Sequence, residues 1–74
     1  MMDMEELSGL DGPIDEDSYQ WMEDNQPILL KEIIRLVKKG ATPDQIYGYV
    51  FRRTERTGIS RRCQQAARHL RRQA

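Results

Sequence analysis

The chain is poor in the residue types from which clustered chemistry is built. Its single cysteine, Cys63, makes neither an intramolecular disulfide nor a thiolate zinc site on its own. That usage predicts a reducing, cytoplasmic setting. Its single histidine, His69, has no serine, cysteine or carboxylate spaced to work with it as a triad. There is no glycine-rich phosphate loop, no metal-ligand spacing and no paired catalytic carboxylates. No apolar run approaches the roughly 18 residues needed to span a bilayer, and Asp3, Glu5 and Glu6 stand where a secretory leader would be basic. At 74 residues the chain is one domain at most, and a domain of this size buries only about 60% of its unfolded surface. A deep pocket needs more chain than that. These shortages predict a non-catalytic protein with no metal, no cofactor, no small-molecule substrate and no membrane partner.

Basic residues are missing from one half altogether. Residues 1–30 hold nine acids and neither lysine nor arginine, whereas residues 31–74 hold all twelve bases against Glu32, Asp44 and Glu55. The formal charge of zero therefore hides two halves of opposite sign. Such asymmetry points to an interaction tail or a nucleic-acid surface, and it predicts that the halves attract each other.

Residues 1–14 carry Ser8-Gly9, Gly12-Pro13 and scattered Leu7, Leu10 and Ile14 without a sustained period. They read as a disordered acidic tail, because so little apolar surface does not offset the entropy of ordering. Residues 15–74 read as a single helical domain. Asp15 or Asp17 caps a short first helix carrying Tyr19, Trp21 and Met22, with acids where the helix dipole favours them. Pro27 disfavours helical geometry at Gln26 and ends that helix near Asn25.

A second helix starts at Pro27 or Ile28. Leu30, Ile33 and Val37 form one apolar row and Leu29, Ile33 and Leu36 the next, and Gly40 supplies a left-handed stop. Thr42-Pro43-Asp44-Gln45 is a capping box with proline at the first helical position. The third helix packs Ile46, Tyr47, Val50 and Phe51 inward. Gly48, which costs up to about 1 kcal/mol against alanine, reads either as the mark of a close helix crossing or as drift. Thr57-Gly58 ends this helix, and Ser60 caps a fourth. The fold class is thus all-α, a small bundle of three or four short helices.

The fourth helix organises the rest. Ile59, Cys63, Ala66, Ala67 and Leu70 fall on one stripe, which faces a core. Arg61, Arg62, Gln64, Gln65, Arg68, His69, Arg71 and Arg72 fill the remaining circumference, five guanidinium groups within about three turns. Cys63 reads as a small buried hydrophobe or, in the first turn of a basic helix, as a thiol of lowered pKa. The helix, Thr-Gly, Ile-Ser, helix succession over residues 42–72 resembles the connection of a helix-turn-helix, in which a short glycine-containing turn sets one helix across the other.

Two functional surfaces follow. Arg52, Arg53, Arg56, Arg61, Arg62, Gln65, Arg68, Arg71 and Arg72 form a candidate nucleic-acid or polyanion surface, since guanidinium suits bidentate phosphate contacts. The ordinary reading of such a run is a solvated face. Tyr19, Trp21 and Met22 form a candidate protein-binding face, or else complete a core that three short helices do not fill. The first surface implies a small regulatory or adaptor protein, autoinhibited when the acidic N-terminus lies on the arginines. The second implies a protein-only adaptor or inhibitor that also uses the apolar face of helix two. Homodimerisation would enlarge the core and double the basic face.

Overall fold

The structure, a computed structural model, describes residues 15–73. The tail expected over residues 1–14 lies outside the described residues. Four helices and no strand are present among them: α1, Asp15–Asn25; α2, Pro27–Lys38; α3, Pro43–Thr54; and α4, Thr57–Gln73. The all-α class is as expected.

Local sequence sets the boundaries as far as the start of α3. Asp15, Glu16 and Asp17 occupy the first turn of α1, where their charge meets the positive end of the helix dipole. Pro27 then forces Gln26 out of the helical region, to φ −140° and ψ 59°, as the clash with the proline ring requires. Gly40 ends α2 at φ 103°. Its N–H donates to the Val37 carbonyl at 2.9 Å, and Ala41 N–H donates to Leu36 at 3.0 Å, the paired bonds of a Schellman stop. In the capping box that opens α3, Gln45 N–H donates to Thr42 Oγ1 at 3.1 Å and Thr42 N–H to Gln45 Oε1 at 2.9 Å. Two otherwise unpaired backbone donors are satisfied there.

The α3–α4 connection departs from expectation. The left-handed residue is Glu55, at φ 56° and ψ 29°, and Gly58 lies inside the first turn of α4. Ser60 is not the cap. It is fully buried, and its hydroxyl donates to the Arg56 carbonyl at 2.7 Å. The reason is register: starting at Thr57 places Ser60 three and seven residues before Cys63 and Ala67, on the face that packs, so its hydroxyl must be satisfied inside the helix.

The core consists of Met22, Leu30, Ile33, Ile46, Val50, Cys63, Ala66 and Ala67, with Tyr19, Trp21, Leu36, Val37, Ile59 and Leu70 packed around it. Helix α4 touches all three other helices, whereas α1 and α3 do not touch each other. The small side chains of Cys63, Ala66 and Ala67, all fully buried, let neighbours approach α4 from several sides. Met22 is also fully buried, a burial worth about 1.5–3 kcal/mol.

Two expectations for α3 are corrected. Phe51 does not pack inward but is 40% exposed. Helix α3 buries the Ile46–Val50 row, and the Tyr47–Phe51 row lies about 100° around the helix from it. Gly48 marks no close crossing, since a Cβ built there meets no atom within 4 Å.

Candidate nucleic-acid interface

The pairing of α1 with α4 decides which arginines are available. Asp15 of α1 is ion-paired with Arg72 and lies 3.8 Å from Arg68. Further along, Ser18 Oγ donates to Gln65 Oε1, and the Cys63 thiol approaches the Met22 sulfur at 3.9 Å. As the α1 number rises the α4 number falls, so the two helices run antiparallel. On the way, Tyr19 tilts against His69 with ring centroids 5.1 Å apart, and the Arg62 guanidinium sits 4.5 Å from the Trp21 ring centroid. The acidic helix therefore lies along one side of the arginine helix, and it occupies Arg62, Arg68 and Arg72.

The basic array is in this way divided. Arg52, Arg56 and Arg61 are exposed, and none of the three is in an ion pair among the described residues. Arg53 donates to Tyr49 Oη at 2.9 Å and lies 5.2 Å from that ring's centroid. Tyr49 in turn donates to Glu32 at 2.9 Å, and holding the phenol proton against that carboxylate raises the Tyr49 pKa. Among the described residues Arg71 reaches only the Ala41 carbonyl, at 3.4 Å.

Gln65 is not part of any outward surface. It is 8% exposed and spends its carboxamide oxygen on Ser18, a buried pair that no charge or apolar period marks in the sequence. Met22, as a core residue, is likewise removed from the candidate protein-binding face. Tyr19 and Trp21 are half-buried and packed against the core. Cys63 stands in the second turn of α4, and burial pushes its thiol pKa up to about 12, opposite to the lowering a basic first turn would bring.

A groove of about 470 Å³ runs between the C-terminal halves of α2 and α4, lined by Ile34, Val37, Lys38, Leu70 and Gln73. Its lining brings together no acid, base and nucleophile. Among the described residues no three His, Cys, Asp or Glu side chains gather to hold a metal ion, and no helix is long and apolar enough to cross a membrane. No family model, no curated protein and no solved structure matches this chain.

Proposed function

We propose that this chain is a small non-catalytic regulatory or adaptor protein that binds nucleic acid or another polyanion through its C-terminal arginines, with α1 as a built-in competitor. The observation that carries this reading is the division of the array. Arg52, Arg56 and Arg61 stand exposed without an ion pair among the described residues, while Asp15 holds Arg68 and Arg72 and Trp21 covers Arg62. A guanidinium pre-formed on a helix offers two parallel donors to a phosphate, so the exposed three make the first contacts and the covered three enlarge the site when α1 yields. The single buried thiol suits a cytoplasmic setting.

Fluorescence anisotropy of labelled duplex DNA and single-stranded RNA against the full chain, at 50 and 200 mM salt, tests this. Three phosphate contacts on a duplex imply roughly a forty-fold loss of affinity across that interval. Binding that ignores salt, or no binding at all, rejects the polyanion reading.

One observation favours a second reading. Ile28, at the start of α2, is 83% exposed, and Trp21 is half-buried. An apolar side chain held this far out is a natural anchor for a protein partner. On that reading the chain is a protein-only adaptor, and its binding survives high salt.

A further inference from the structure

Helix α3 carries a glycine that the fold itself does not use. Gly48 sits in the middle of α3, where glycine destabilises a helix relative to alanine. A methyl group added there meets nothing within 4 Å, so no neighbouring helix requires the bare backbone. Phe51 and Arg52 follow Gly48 by three and four residues and share its face. The Phe51 ring stacks on Tyr47 with centroids 6.1 Å apart and planes within 8° of parallel, while Phe51 stays 40% exposed. A pair of parallel rings, Phe51 exposed and Tyr47 partly buried, an open patch of backbone and an adjoining guanidinium thus occupy one side of one helix, and the chain leads directly from them to Arg56.

We infer that Phe51 and Tyr47 form a stacking platform for the bases of a single-stranded nucleic acid, that Gly48 leaves room for the strand to approach the helix, and that Arg52 and Arg56 contact its phosphates. Stacking on aromatic rings combined with arginine contacts to the backbone is how strands are held without sequence preference. A duplex, whose bases are stacked internally, offers no free base face to such a platform. Asp44, one turn before Gly48, bounds the site: its carboxylate accepts from Gln64 at 2.9 Å and repels phosphate. This inference rests on the polyanion reading above and names its ligand.

The test is calorimetric titration of the full chain with oligothymidylate, oligouridylate and, as a polyanion without bases, inorganic polyphosphate. Phe51→Ala is expected to weaken binding of the oligonucleotides about tenfold and to leave polyphosphate binding unchanged. Gly48→Ala is expected to raise Tm by a few degrees, as removal of a helix glycine does, and yet to weaken oligonucleotide binding selectively. Comparison of the two oligonucleotides reads whether RNA or DNA is preferred, and a selective loss on either one supports the platform. Variants that bind both oligonucleotides as the native chain does overturn it, while polyphosphate binding by the native chain leaves the broader reading standing. Failure of the native chain to bind any of the three overturns both.

Discussion

Ser18 and Gln65 are separated by 47 positions in sequence and meet in the interior, the hydroxyl donating to the carboxamide oxygen. A buried acceptor that loses its donor costs its full desolvation, about 1–3 kcal/mol. Ser18→Ala is therefore expected to lower unfolding stability by that amount in a urea titration. The double variant Ser18→Ala with Gln65→Met, which removes both polar partners, is expected to recover most of it. No recovery would mean that the loss comes from packing rather than from the orphaned carboxamide. The sequence alone hides this pair, because the apolar period of α4 marks a single inward stripe. A helix contacted by three neighbours buries a wider arc than one stripe, and Gln65 falls in the part that α1 covers. The same geometry explains Ser60, which a local reading places at a cap.

Each helix boundary that depends on neighbouring residues only is legible from the sequence. Pro27, Gly40 and the Thr42–Gln45 box act through backbone sterics and local hydrogen bonds, and all three operate as their residue types dictate. The α3–α4 turn is different because packing chose it. Gly58 is available for a left-handed stop, yet Glu55 adopts that conformation, since ending α3 at Thr54 brings Ile59, Cys63 and Leu70 into register with the core. The turn is compensated locally: Thr54 Oγ1 donates to the Val50 carbonyl at 3.0 Å and accepts from Arg56 N–H at 3.1 Å. A left-handed conformation costs an ordinary residue roughly 1–2 kcal/mol, part of which glycine returns as greater freedom in the unfolded chain. Glu55→Gly is accordingly expected to stabilise the protein by about 0.5–1 kcal/mol, read as a rise in the urea midpoint at constant slope. A fall in the midpoint would show that the Glu55 side chain contributes more than its backbone costs.

For the molecule as a whole, the segregated charge of the sequence becomes a contact between its first and last described helices. Asp15, whose side chain is only 14% exposed, faces Arg68 and Arg72, which are 46% and 64% exposed. Partly exposed pairs of this kind are worth at most about 1 kcal/mol, so the contact costs little to break. Asp15→Asn is expected to change stability by less than about 1 kcal/mol and to strengthen polyanion binding several-fold at low salt, with the gain shrinking as salt screens the charges. Unchanged or weaker binding by the variant would reject α1 as a competitor. That acids and bases would meet was legible from their segregation, whereas which arginines are covered depends on the antiparallel register of α1 on α4.

The place of α4 in the chain has a consequence for how the protein comes into being on the ribosome. The helix on which the others pack is the last of the four to be synthesised. Until its 17 residues have been added, about one to three seconds at ordinary elongation rates, α1, α2 and α3 lack the surface that joins them. Helix α3 then keeps only its slight contact with α2, and α1 and α3 have nothing between them. Assembly of this bundle therefore awaits the synthesis of α4, and a message cut short before α4 yields a chain without the helix on which the other three pack.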